Sequence, residues 1–151
     1  MGHSHLGEYF AAVDNLLKPD GIFTMQVITT PESRYEECRL AADFINTIIF
    51  PGACCPSLEA CVSAAGAAST LQLEGYRNIG LHYAETLREW RRRFNAKLQD
   101  VKALGFDDVF VRTWNYYLCY CEAGFESQTM ADLQLTFSRM GNATLADKQL
   151  A

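Results

Sequence analysis

No run of this 151-residue chain is both long enough and apolar enough to span a bilayer, since the stretch from Phe44 to Leu58 is interrupted by Asn46, Pro51, Gly52 and Pro56. Any membrane contact is therefore expected to be peripheral. Positive charge is also scarce: 13 basic residues against 18 acidic ones give a net charge of -5. Without a cluster of unopposed cations to neutralise phosphates, nucleic acid is not an expected partner. The start, Met1-Gly2-His3-Ser4-His5, has no basic segment followed by an apolar one; it does not read as a secretory signal, and a cytoplasmic location is expected. Cys38, Cys54, Cys55, Cys61, Cys119 and Cys121 include adjacent and alternating pairs, poor material for a disulfide framework, and read as reduced intracellular thiols. Neither Cys54, Cys55 and Cys61 nor His3 and His5 has the paired spacing of a closed zinc site, so no metal is expected. Internal repeats and low-complexity linkers are missing too, which leaves one domain over residues 1–139 and a loose tail over 140–151.

What is present is the material of a core, with 49% hydrophobic and 12% aromatic residues. Phe10, Val13, Leu16 and Leu17 recur at helical spacing from Leu6, and Lys18-Pro19-Asp20-Gly21 ends that helix in a turn. Ile22 to Ile28 is almost continuously apolar, as a strand covered on both faces would be, and expects a neighbour on each side. Pro31 opens a helix through Tyr35, Cys38, Ala42 and Ile45. Ser57 N-caps a short helix ending near Ala65, and Leu71, Leu73 and Tyr76 mark a second strand. From His82 to Leu104 the residues Tyr83, Leu87, Trp90, Phe94, Leu98 and Val101 keep to one helical face, with Gly105 as the stop. Asp107 or Asp108 caps the next helix, and Leu133, Leu135 and Phe137 alternate with polar residues as in a strand.

Three stretches carry more than periodicity: Phe50-Pro51-Gly52 to Pro56-Ser57-Leu58-Glu59, His82-Tyr83-Ala84-Glu85-Thr86-Leu87, and Tyr120-Cys121-Glu122-Ala123-Gly124-Phe125. In these the chain resembles the C-terminal half of a cyclopropane-fatty-acyl-phospholipid synthase of the mycolic acid cyclopropane synthase type, from about Gly2 to Arg139. The resemblance implies an α/β fold, the C-terminal half of a doubly wound, Rossmann-like methyltransferase sheet, with inserted helices and an antiparallel last strand. It implies a reaction in which S-adenosylmethionine gives a methyl or methylene group to the cis double bond of a phospholipid acyl chain, through a carbocation that loses a proton. The glycine-rich turn that holds the cofactor is not found in these residues, so no cofactor-binding residue is expected in this chain, and the chain by itself reads as inactive. Its implied partners are phospholipid acyl chains, the missing N-terminal half or a second copy.

The base in such enzymes is a bound bicarbonate, and the matching positions here are Gln26, Ile28 through its backbone, and Tyr83; the acidic partner falls upstream of Met1. From spacing alone Tyr83 belongs to the apolar stripe with Leu87 and Trp90; the resemblance makes it an anion donor, which a phenol in an apolar wall suits. Gln26, an amide in an apolar strand, is either functional or satisfied structurally. Trp114, Tyr117, Cys121 and Phe125 are the substrate-side candidates, with Cys121 equally readable as a small buried hydrophobe. Arg88, Arg91, Arg92 and Arg93 could meet anionic headgroups, yet Glu85 and Glu89 sit where helix-surface ion pairs form, which favours a solvated face. Two further readings stay open: a lipid-binding or interaction protein without catalysis, and a methyltransferase of fatty acids or small amines that shares the His-Tyr-Ala motif.

Overall fold

A computed structural model describes residues 2–142 and Thr144. The elements are α1 (Leu6–Leu16), β1 (Ile22–Thr29), α2 (Glu32–Leu40), α3 (Leu58–Ala68), β2 (Leu71–Asn78), α4 (Gly80–Ala96), α5 (Leu98–Ala103), α6 (Asp108–Glu126) and β3 (Ala131–Arg139), with a 3-10 turn at His3–His5 and a π-helical turn at Ile45–Ile49. They form two compact units, one of residues up to Asn78 together with those from Leu133, the other of Ile79–Asp132.

In the first unit the strand order is β1-β3-β2, so the last strand in sequence is the middle one in space. β3 runs antiparallel to β2, pairing Leu73 with Phe137 and Asn78 with Leu133, and Glu74 is left unopposed as a bulge. Leu133, Leu135 and Phe137 are buried by the period of two that their alternation predicts. Phe137 meets Phe10 of α1 at 5.3 Å and Phe23 of β1 at 6.1 Å between ring centres, which fixes the core between helix and sheet. Arg139 fastens the end of β3 to the end of α1, donating from Nε to Asp14 Oδ1 at 2.9 Å and from Nη1 to the Lys18 carbonyl at 2.5 Å. Asp14 also accepts from the Thr70 amide at 2.7 Å, and that bond, ahead of the nearby guanidinium, lowers its carboxyl below the ordinary range.

β1 is left with an open edge, as expected of a strand that lacks one of its two neighbours in the half-sheet, and differs from the expectation only in its pattern of burial. It lies at one edge of the order and alternates, with Ile22, Thr24 and Gln26 exposed, so it is not covered on both faces. α2 stops at Leu40 instead of continuing to Ile45, because Asp43 and Asn46 each accept the other's backbone N–H at 2.8 Å and divert the chain. α3 starts where expected, the Ser57 hydroxyl accepting from the Ala60 amide at 3.0 Å, and runs to Ala68.

The second unit pairs α4 with α6 around Ala84, Leu87, Leu118 and Phe125. The single helix expected from His82 to Leu104 is two, broken at Lys97, whose backbone (φ -117°, ψ 21°) leaves the helical region. Gly105 ends α5 with φ at +94°, a conformation cheap only for glycine. Asp107 is the cap of α6, its carboxylate accepting from the Phe110 amide at 2.8 Å. The tail expectation beyond Arg139 lies outside the described residues except at 140–142 and Thr144, where the Asn142 side chain donates to the carbonyls of Asp20 and Gly21 at 3.1 Å.

Candidate functional site

The second unit gathers five of the seven site candidates. Tyr83 sits one turn into α4, its amide donating to the Ile79 carbonyl at 3.1 Å, and the Ile79 amide in turn donates to the Asp132 carbonyl at 2.8 Å. The start of β3 therefore holds the turn that presents Tyr83. The ring of Tyr83 stands edge-on to Phe125, 4.8 Å between centres, and to Trp90 at 6.1 Å. Trp114 leans on Tyr117 at 5.0 Å, and Phe106 of the preceding loop, Phe110 and Trp114 stack ahead of it with spacings of 4.2 and 5.8 Å. The aromatic wall is continuous because residues 110, 114 and 117 fall on one side of the helix and the loop before it lays Phe106 on Phe110.

Burial raises the phenol pKa of Tyr83, and the charges of Asp132 and Cys121 add to it. Tyr117 is pushed up to about 12, again by burial first and then by Cys121 and Tyr83. These shifts place Tyr83, Tyr117, Cys121 and Asp132 within electrostatic reach of one another. At neutral pH both phenols keep their protons and act as donors. Among the described residues no protein group hydrogen-bonds the Tyr83 hydroxyl, which leaves that donor available to a ligand.

Gln26 and Ile28 lie on β1 in the first unit. Gln26 is exposed rather than enclosed in an apolar strand, because β1 alternates at the edge of the strand order; Ile28 is half-buried. Two buried carboxylates are not among the site candidates of the sequence, although one of them, Glu122, stands within the stretch Tyr120 to Phe125. Asp132 has no solvent exposure, and Glu122 is 8% exposed between Arg88, whose Nε donates to Oε1 at 2.8 Å, and Arg91, whose Nη2 donates to Oε2 at 3.1 Å. Glu89 takes Arg92 and Arg93 at 2.7 Å each, which holds its carboxyl down to about 2. Each arginine of the α4 run thus has an acid in ion-pair distance, with Glu122 and Glu89 each serving two. Among the described residues no three His, Cys, Asp or Glu side chains group as metal ligands.

For the cofactor, the decisive places are the turns from strand to helix. Thr30-Pro31 leads into α2 and Ile79-Gly80 into α4, and neither is glycine-rich. The glycines with positive φ, Gly52, Gly105 and Gly141, lie elsewhere. The residues present do not fit S-adenosylmethionine by the usual strand-to-helix cradle.

Residues 1–135 match the family model described as mycolic acid cyclopropane synthetase. Over 141 residues, 93% of the chain and 33% of the relative, the sequence is 39% identical to tuberculostearic acid methyltransferase UfaA1 of Mycobacterium tuberculosis. It is 32% identical to cyclopropane-fatty-acyl-phospholipid synthase of Escherichia coli, over 92% of the chain and 35% of the relative. Sphingolipid C9-methyltransferase A of Emericella nidulans is 29% identical over 95% and 28%. Among solved structures, cyclopropane synthase MmaA2 of Mycobacterium tuberculosis superposes with a TM-score of 0.80 at 24% identity, covering 91% of the chain and 51% of that structure. Mycolic acid cyclopropane synthase CmaA1, complexed with SAH and CTAB, gives 0.79 at 24%, over 92% and 51%. The chain spans about a third of the length of these curated relatives, and the fold is that of the Rossmann-like methyltransferases.

Proposed function

The chain belongs to the mycolic acid cyclopropane synthetase family of S-adenosylmethionine-dependent methyltransferases, and from that premise we propose that it is the substrate-side, C-terminal part of a single catalytic domain, residues 1–139, that modifies an unsaturated acyl chain of a phospholipid. The observation that carries this reading is the Tyr83 hydroxyl, an unclaimed donor set against Phe125 and Trp90. An aromatic wall with one open polar atom suits an acyl chain beside a small anion. Trp114, Tyr117, Cys121 and Phe125 supply the apolar contact.

In this proposal the anion is bicarbonate, which takes the proton that the acyl chain loses, and Tyr83 holds it by donating one hydrogen bond. The phenol fits that task because its proton stays on at neutral pH. The parts of Gln26 and Ile28 toward that anion are carried by the resemblance alone. Since the strand-to-helix turns of this chain do not fit S-adenosylmethionine, no step is assigned to it here, and the isolated chain is expected to show no micromolar affinity for it in calorimetric titration.

The test is to join residues 1–139 to the preceding region of the Escherichia coli synthase and to supply labelled S-adenosylmethionine with vesicles bearing cis-unsaturated phospholipid. Label in the acyl chains is the expected result. A folded chimaera that binds the cofactor and labels no acyl chain would overturn the proposal, and label in small amines instead would move the chain to the other branch of the fold.

A further inference from the structure

Helices at a protein surface normally turn charge toward water, and α4 does so with Glu85, Arg88, Glu89, Arg92 and Arg93. α6 does not. At 3.6 residues per turn, Val109, Arg112, Tyr116 and Tyr120 fall on one stripe, opposite the buried Leu118, Glu122 and Phe125. Three of the four are large and exposed, Val109 at 58%, Tyr116 at 54% and Tyr120 at 43%, and the two tyrosine rings lie 5.9 Å apart in a stacked pair. The loop into the helix adds Leu104 at 78% and Phe106 at 45% exposure. Arg112 is the one side chain of the four that is charged at neutral pH; Asp108, a turn before it, is engaged by Lys102 at 2.7 Å and also feels the charge of Arg112.

We propose that this stripe of α6, with the Leu104-Phe106 loop, is the surface by which the protein rests on a phospholipid bilayer. Apolar and aromatic bodies enter the outer acyl region, the tyrosines stay at headgroup depth where amphipathic rings collect, and Arg112 meets lipid phosphate. Charge decides between this occupant and a second copy. A self-paired stripe would bring two arginines together with Asp108, already paired with Lys102, as the nearest carboxylate to each, whereas an anionic headgroup layer complements both Arg112 and Lys102. The arginine run of α4 is excluded as the contact, since Arg88, Arg91, Arg92 and Arg93 are all held by Glu122, Glu126 or Glu89. The inference rests on the lipid reading of the preceding subsection, but it concerns docking alone.

Flotation of the 151-residue chain with vesicles of phosphatidylcholine, with and without phosphatidylglycerol, tests it without any turnover. The parent should float with both and more with the anionic vesicles. Tyr116→Ser with Tyr120→Ser should bind roughly tenfold more weakly or worse, Arg112→Glu should lose the preference for phosphatidylglycerol, and Arg92→Gln with Arg93→Gln should match the parent. Circular dichroism and melting verify that each variant folds; should the tyrosine pair fail, the exposed Arg112→Glu change decides. A parent that floats with neither vesicle, equal flotation of parent and stripe variants, or a loss confined to the α4 variant would each overturn the assignment. So would a dimer, seen by light scattering, that the stripe variants dissociate while vesicle binding persists. None of these outcomes touches acyl labelling by the chimaera, so the docking surface and the lipid reading fail separately.

Discussion

Replacing Glu122 by alanine removes the one acid that α6 places under two arginines of α4. The carboxylate is 8% exposed, and its two oxygens accept from Arg88 at 2.8 Å and Arg91 at 3.1 Å. Breaking a fully buried ion pair costs about 3–5 kcal/mol, because the surviving charge is left without a partner. Here the arginines are 48% and 36% exposed along their side chains, and Arg88 keeps Glu126 at 3.0 Å, so water and a second acid recover part of the loss. Arg91 cannot recover as much: its Nε is already buried without a partner. The net expectation is about 1.5–3 kcal/mol of destabilisation, and a fall in Tm of roughly 3–10 °C for a chain of this length. Thermal and urea melts of Glu122→Ala against the parent measure it, with Glu89→Ala as the exposed control in the same helix pair. Glu122→Leu separates lost charge from lost volume, for an apolar side chain of similar size fills the space without answering the guanidiniums. Melting of Glu122→Ala within error of Glu89→Ala would refute the reasoning and show that both arginines simply rehydrate.

In the chimaera, Tyr83→Phe keeps the ring against Phe125 and removes one bond to an anion, worth about 1.5–3 kcal/mol, so turnover should fall roughly ten- to a hundredfold with melting unchanged; added bicarbonate should restore part of it, and equal turnover at limiting bicarbonate would release Tyr83 from the role. Tyr117 holds its proton up to about 12 against 10.0 for a free phenol, so its contribution to stability is complete below pH 10 and is lost as pH rises through 12. Tyr35 behaves likewise. Tyr117→Phe should therefore remove about 2–3 kcal/mol of the alkaline loss in a pH series of denaturant melts, and a parent and variant that decline in parallel would contradict it. Burial pushes the thiols of Cys55 and Cys61 to about 11, while Cys119 is exposed. Under an aromatic disulfide reagent at pH 8, Cys119→Ser should lose the fastest phase, and Cys61 should react only on unfolding.

Local chemistry made much of the fold legible before any coordinates. Ser57 and Asp107 cap the helices they were expected to cap, since a short oxygen-bearing side chain ahead of an apolar repeat has few other uses. The break at Lys97 was hidden because the apolar spacing passes through it unchanged, from Phe94 to Leu98 to Val101. The early end of α2 was hidden for a related reason: Asp43 and Asn46 close a turn on each other's amides, while Ala42 and Ile45 still keep helical intervals. Within the site, Tyr83, Tyr117 and Phe125 could be found by motif and period. The burial of Asp132, and of Glu122 although it stands in a motif, could not. Glu85, one turn from Arg88, offered it a nearer partner than Glu122, which lies 34 residues from Arg88 and 31 from Arg91, and an acid at the start of a strand carries no sign that the fold will bury it.

The place of β3 at the centre of the strand order has a consequence for how the protein is made. Synthesis runs from the N-terminus, so β1 and β2 leave the ribosome before β3 and have no hydrogen-bonded partner in each other. They must wait, with Phe10 and Phe23 uncovered, for Phe137 to emerge. The interval is filled by the whole of Ile79–Asp132, whose own contacts are local and can settle while the chain is still tethered. The last knot is Arg139 reaching back 125 residues to Asp14. A nascent chain stalled before β3 would thus leave open at once both strand edges that β3 closes, and holdase chaperones in the cell should bind it most avidly at that length.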